Sequence, residues 1–249
     1  MAVDLKKWVT QGSRMLLEDP AAALRYAGRL ILPMRSDYRR RLAMSLHRWL
    51  IYHQTDLVFG GCHWMGARAH KNPMDAWIYQ EILWELKPEV VVEIGSCYGG
   101  TTLYLAHLLE LIGRGSVVSV DIDRSKFSVR HPRIIEVTGD SGSAEVCAKV
   151  SEHCRGKLTL VIHDGDHSRD AVLKDLRAYS PLVSVGSYLI VEDGVMDLFR
   201  PGDGIGTFAP GPLAAIETFL AERSDFTVDR TRERYLMTYN PMGFLKRVR

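Results

Sequence analysis

Along the chain the apolar positions change rhythm near residue 90. Upstream, Leu16, Leu17, Leu24, Leu30 and Ile31 recur at roughly helical spacing with Pro33 as punctuation, so the first 60 residues read as helices. Gly60-Gly61-Cys62-His63-Trp64-Met65-Gly66 reads as a flexible, aromatic-bearing loop. A helix is expected from about Asn72, with Pro73 in its first turn, Trp77, Ile78, Ile82, Leu83 and Leu86 on one face, and Lys87-Pro88 as its stop. From Val90 onward short β-branched runs take over: Val90–Ile94, Val117–Val120, Ile134–Val137, Leu158–Ile162 and Tyr188–Val191. Helical periodicity, as in Leu103–Ile112 and Ala171–Leu176, fills most of the intervals. Strands alternating with helices mean βαβ units and a buried, mostly parallel sheet. In the tail, Phe226–Val228 is a further run, and Tyr235–Tyr239, the turn Asn240–Gly243 and Phe244-Leu245 read as a hairpin that closes the sheet with an antiparallel edge.

Composition narrows the class. Hydrophobic residues are 46% and charged residues 25% of 249, the balance of a globular chain. No apolar run approaches the ~18 residues of a membrane span, so no integral membrane association is expected. The N-terminus lacks the layout of a signal peptide, and the cytoplasm is the expected address. Cys62, Cys97, Cys147 and Cys154 form no C-x-x-C pair, which argues against a zinc cage or a disulfide framework. The net charge of +2 is unevenly placed: residues 1–50 hold ten Lys or Arg against four Asp or Glu, leaving 22 against 26 in the rest. Solvated helix faces account for the basic arm, and without an RNA-binding motif or zinc finger no nucleic-acid partner is expected.

In an open parallel sheet, ligands bind at the carboxyl ends of the strands. The first such end reads Glu93-Ile94-Gly95-Ser96-Cys97-Tyr98-Gly99-Gly100-Thr101. A phosphate-binding P-loop would need a lysine where Thr101 stands, and a dinucleotide fingerprint would need glycine at Cys97. The E-x-G-x-x-x-G loop of S-adenosylmethionine (SAM) methyltransferases matches throughout, with Glu93 able to hold the cationic amino group of the methionyl part, directly or through water. Gly95, Ser96, Tyr98, Gly99 and Thr101 complete this candidate cofactor loop. Asp121 ends the second strand, where a carboxylate can accept both ribose hydroxyls; Asp123 is an alternative, and Asp121 could instead cap a helix. Asp140 and Ser141 follow the third strand, where the adenine edge belongs.

The stretch Met74–Ile82, the loop Glu93–Gly100, Asp164-Gly165-Asp166-His167-Ser168, the run Ser180–Tyr188, Glu192-Asp193 and the ending Gly243-Phe244-Leu245 together resemble the cephalosporin hydroxylase family. That family includes rhamnosyl O-methyltransferases and is similar to macrolide sugar O-methyltransferases. The resemblance covers roughly residues 60–249. It implies a Rossmann-like class I SAM methyltransferase fold, usually with a divalent metal and usually homo-oligomeric. An N-terminal helical extension and lid loop over 1–70 and a methyltransferase domain over 71–249 are therefore expected.

Asp164 closes the fourth strand and Glu192-Asp193 the fifth. If those strands are neighbours, as the resemblance implies, the three carboxylates converge beside the methyl donor, a set of oxygen ligands that suits Mg²⁺ or another divalent cation. The resemblance places metal ligands at these three positions, with Asp164 also beside the cofactor. His167, three residues beyond Asp164, stands where related sugar methyltransferases carry their base, and its ordinary pKa of ~6.5 suits that task. His163 is assigned no chemistry. The acceptor is expected between segment 201–212 and the His63–Met65 loop, with Trp64, Tyr98 and Phe208 as candidate walls.

The expected function is metal-dependent O-methylation of a sugar or a glycosylated small molecule. A non-haem iron hydroxylase is the chief rival, but no histidine of the nine is followed by an acid two residues on. A catalytically silent SAM-binding partner is a second, and a nicotinamide oxidoreductase, disfavoured by Cys97, a third.

Overall fold

The computed structural model describes residues 20, 41–200, 203 and 209–249. The chain divides into two compact units, residues 1–57 with 199–207 and residues 58–198 with 208–249. In the first, α1 (Leu46–Tyr52) starts on Ser45, whose side chain accepts from the Arg48 amide. The helical pattern over Leu16–Ile31, and Phe208 with most of segment 201–208, lie outside the described residues.

All the candidate cofactor, metal and catalytic residues lie in the second unit. Its β1 (His63–Trp64) and β2 (Ala67–Arg68) pair antiparallel. The flexible loop expected here is instead a tight hairpin, turned by Met65 and Gly66 at φ 48° and 84°. Helix α2 (Pro73–Leu86) starts on Asn72, whose side chain accepts from the Met74 amide, and stops at left-handed Lys87. Ile78, Tyr79, Ile82 and Leu83 form its buried face; Trp77, expected among them, is 59% exposed.

The central sheet comprises β3 (Val90–Ile94), β4 (Ser116–Asp121), β5 (Ile134–Thr138), β6 (Thr159–His163), β7 (Tyr188–Val191), β8 (Phe226–Val228) and β9 (Phe244–Arg247), in the order β5-β4-β3-β6-β7-β9-β8. The first five are parallel, and β9 runs antiparallel to both β7 and β8. Helices α3 (Gly100–Ile112), α4 (Ala144–Cys154), α5 (Arg169–Tyr179) and α6 (Pro212–Glu222) belong to the same unit. Alternation splits β3 between two cores. Val90, Val92 and Ile94 pack with α4, α5 and α6, whereas Val91 packs with α2 and α3. Both faces are covered, which is why β3 reads as a nearly unbroken apolar run. Each fully buried Val or Ile contributes about 1.5–3 kcal/mol.

The antiparallel edge is present but uses different runs from those expected. Tyr235–Tyr239 is not a strand: Leu236 adopts φ 63°, and the following backbone is tied to a side chain rather than to a neighbouring strand. Tyr239 N donates to Asp75 Oδ2 at 2.9 Å and Thr238 Oγ1 to Asp75 Oδ1 at 2.6 Å. Trp64, expected as a cavity wall, is held against α3. Its indole donates to His107 Nδ1 at 3.0 Å and meets Tyr104 edge-on, both on α3.

Candidate active site

The register decides what meets at the carboxyl edge. Ile94 pairs with Val120 and His163, Asp121 with Thr138, and His163 with Val191. The residues leaving those strands therefore emerge side by side, around a cavity of about 570 Å³. Gly95, Ser96, Tyr98, Thr101, Asp121, Asp140, Ser141, Asp164, His167 and Asp193 all line it. Glu93, Gly99 and Glu192 do not.

Gly95 is fixed by geometry: at φ 84°, a Cβ would stand 2.0 Å from the Asp164 carbonyl oxygen. This close approach seats the glycine loop against the end of β6. Asp121 holds the loop from the other side. Its Oδ2 accepts from Ser96 N and Cys97 N, each at 2.8 Å, and from Ser96 Oγ at 3.2 Å, while Oδ1 accepts from Asp123 N. Burial alone would raise the Asp121 carboxyl, but these amides outweigh it and hold it below the ordinary value. Asp123 is off the cavity wall and bonds the Ser125 amide and hydroxyl. At the end of β5, Ser141 Oγ donates to Asp175 and Asp140 accepts from Gly142 N.

Asp164, His167 and Asp193 come together, with ligand-capable atoms all within 4.8 Å of one another. His167 Nε2 lies 3.0 Å from Asp193 Oδ2 and 3.7 Å from Asp164 Oδ1. Burial would lower its pKa, but the two carboxylates raise it to about 10, so the ring is an imidazolium at neutral pH. Asp193 sits at φ 59°, a left-handed conformation that aspartate tolerates, and its amide donates to Asn240 Oδ1. Behind this wall is a residue that sequence reasoning missed. The Lys71 ammonium, 4% exposed, donates to Asp164 Oδ2 at 3.1 Å and to Glu192 Oε2. Glu192 Oε1 accepts from Tyr79 OH at 2.8 Å, and that hydroxyl accepts from Asn240. Burial opposes the Lys71 charge, yet Asp164 and Glu192 more than reverse this and hold its pKa above the ordinary lysine value. Burial likewise opposes the Asp164 charge, but Lys71 and then His167 bring its carboxyl down to about 2. For Glu192, burial and the Asp164 charge push the carboxyl up, against Lys71.

Lys71 lies 93 residues from Asp164 and 121 from Glu192, so no local pattern announced it; its one signal was a lysine set just before the helix start Asn72-Pro73. Arg68, His70 and Phe59 also line the cavity without having been singled out. His163, assigned no chemistry from the sequence, is buried with its Nε2 3.2 Å from Asp175 Oδ2.

Residues 57–248 match the family model for rhamnosyl O-methyltransferase/CmcI. The chain belongs to this family. Among curated relatives, the rhamnosyl O-methyltransferase of Mycobacterium leprae is 33% identical over 214 residues, 83% of this chain and 90% of the relative. That of Mycobacterium tuberculosis is 34% identical over 215 residues, 83% and 85% of the two chains. The solved structure of CmcI with magnesium and SAM superposes with a TM-score of 0.60 at 23% identity, covering 88% of this chain and 87% of CmcI, and so supports the fold. The family membership and the class I methyltransferase fold inferred from the motifs are borne out, and the protein is a SAM-dependent O-methyltransferase.

The site of this methyltransferase fits the donor. Glu93 is 1% exposed and accepts from Thr102 through Oε2, but Oε1 has no hydrogen-bond partner. Burial lifts its carboxyl to about 8, against the Thr102 bond. An ammonium group reaching that oxygen, directly or through water, would satisfy it and restore its charge. The wall also fits a divalent cation, since Asp164 and Asp193 present hard oxygen donors at the edge of the same cavity.

Proposed function

We propose that this enzyme methylates a hydroxyl group of a sugar or of a glycosylated natural product, with a divalent cation, Mg²⁺ by preference, held by Asp164, Asp193 and Glu192. The observation that carries the reading is the meeting of Asp164, His167 and Asp193 on the wall shared with the glycine loop. The rhamnosyl O-methyltransferase relatives support a sugar acceptor. Assembly as a homo-oligomer belongs to the same proposal.

In this reading the adenosyl part extends from Asp121 towards Asp140 and Ser141, and Gly95, Ser96, Tyr98 and Thr101 frame the methionyl part, with Glu93 and Gly99 behind them. A sugar hydroxyl has a pKa near that of water, ~16, and the cation would supply a Lewis acid that stabilises its alkoxide. His167 takes the proton on Nε2. It can do so only as neutral imidazole, the form it regains when the charges of Asp164 and Asp193 are engaged elsewhere. The sulfonium S–C bond then breaks as the O–C bond forms in line, and S-adenosylhomocysteine leaves. Alignment supplies most of the acceleration.

Labelled SAM, tested against an alkyl rhamnoside, an alkyl glucoside and a catechol in Mg²⁺ or EDTA, checks the reading. The expected result is Mg²⁺-dependent methylation of a glycoside, reduced more than about 100-fold in His167→Ala with binding of S-adenosylhomocysteine retained. Turnover that survives EDTA overturns the metal, and turnover of catechol alone overturns the sugar.

A further inference from the structure

The cavity is dominated by acid. Asp121, Asp140, Asp164, Asp166, Asp175 and Asp193 all line it, against four potential cations, Arg68, His70, His167 and Lys174. Three of the four are accounted for. His167 is engaged by Asp193 and Asp164. Lys174 is 57% exposed and lies 3.5 Å from Asp140, at the adenine end. Burial and then the Arg68 charge lower the pKa of His70, whose buried Nε2 lacks a hydrogen-bond partner.

Arg68 is the remaining cation. Among the described residues no carboxylate lies within ion-pair distance of it. Neutral groups fix its guanidinium: Nη2 donates to Phe59 O at 2.7 Å, Nη1 donates to Tyr98 OH at 3.2 Å, and its Cζ stacks 4.6 Å from the Tyr98 ring centre. Its backbone lies against the glycine loop, where a Cβ on Gly100 would stand 2.2 Å from the Arg68 carbonyl oxygen. A preorganised guanidinium without an anion therefore stands beside the part of the loop assigned to the methionyl group. A ligand carboxylate placed elsewhere in this cavity would face the acidic wall.

We propose that Arg68, clamped by Tyr98 and the Phe59 carbonyl, is the anchor for the α-carboxylate of the methyl donor and of its product. This rests on SAM as donor. Glu93 answers the ammonium and Arg68 the carboxylate of the same amino-acid group, so the sulfonium between them and the ribose is fixed at both ends.

Calorimetric titration with three ligands tests this: S-adenosylhomocysteine, its methyl ester, which masks the carboxylate, and 5′-methylthioadenosine, which lacks the amino-acid part. Arg68→Met is expected to weaken S-adenosylhomocysteine at least about tenfold and to leave 5′-methylthioadenosine within twofold. The methyl ester should lose a similar factor in wild type and nothing further in Arg68→Met, while Arg68→Lys recovers part of the loss. Equal weakening of all three ligands, or unchanged S-adenosylhomocysteine binding, overturns the anchor. Wild-type protein that binds none of them overturns the donor assignment, and the anchor with it. If Arg68→Met does not fold, Arg68→Lys and Tyr98→Phe carry the test, since each should weaken S-adenosylhomocysteine and spare 5′-methylthioadenosine.

Discussion

Replacing Lys71 with methionine removes one ammonium and leaves a side chain of similar length. In wild type that ammonium touches Asp164 and Glu192 with only 5% of its side chain exposed, so solvent screens the contacts little. Breaking a buried pair by deleting one partner costs about 3–5 kcal/mol, because the other charge stays behind. Asp164 is 22% exposed and can recover some hydration, which points to the lower end, about 3 kcal/mol. Against a domain stability of about 5–15 kcal/mol the variant should still fold. The loss should also depend on pH. Burial and Asp164 already push the Glu192 carboxyl up, and without Lys71 it rises further. A carboxyl with a raised folded pKa binds more protons folded than unfolded, so the variant loses stability as pH rises through that folded value and recovers part of it in acid. Urea denaturation of both proteins in EDTA at pH 5.5 and pH 8 reads this directly, with the larger gap at pH 8. Mg²⁺ should then stabilise the variant more than wild type, because loss of the ammonium leaves Asp164 and Glu192 more attractive to a cation and a folded-state ligand stabilises more the tighter it binds. A loss below about 1 kcal/mol at both pH values would refute the reasoning, since the lysine would then have been held at little energetic consequence.

Two further predictions concern the cavity wall. His167, at about 10 in the folded protein against ~6.5 unfolded, contributes stability that is complete below ~6.5 and lost as pH rises towards 10. Metal-free wild type should lose more stability over that window than His167→Gln, in which the raised Glu93 and Glu192 carboxyls still titrate; a ring titrating near 6.5 by NMR would contradict this. Gly95→Ala forces a left-handed alanine against the Asp164 carbonyl, so it should cost more than about 2 kcal/mol and abolish measurable S-adenosylhomocysteine binding by calorimetry.

The strands were legible because burial on both faces leaves a mark that needs no partner to be read: Val90–Ile94 is apolar wherever it points, apart from Glu93. The glycine loop and the acids at the strand ends were legible for a related reason, since each lies in a short segment with a fixed spacing from a strand. Tyr235–Tyr239 misled because its composition suits a strand, whereas Asp75, more than 160 residues away, captures its backbone. Lys71 and Arg68 were missed on the same principle. A single cation in a polar segment has no period, and its meaning comes from Asp164, Glu192 and Tyr98, which only the fold brings near.

The two cations of the acidic cluster divide its work in the proposed reaction. Lys71 is buried, bonded to Asp164 and Glu192, and has no route to release its charge at neutral pH. His167 stands at the cavity edge with 23% of its side chain exposed, and the carboxylates that raise its pKa are two of the proposed metal ligands. Any positive charge that engages Asp164 and Asp193 must therefore weaken their hold on the imidazolium proton. In the proposed reaction cation binding and the release of a proton-accepting histidine would be one linked event, whereas Lys71 would stay charged. A cluster with Lys71 alone would be inert, and one with His167 alone would leave Glu192 buried without a counter-charge.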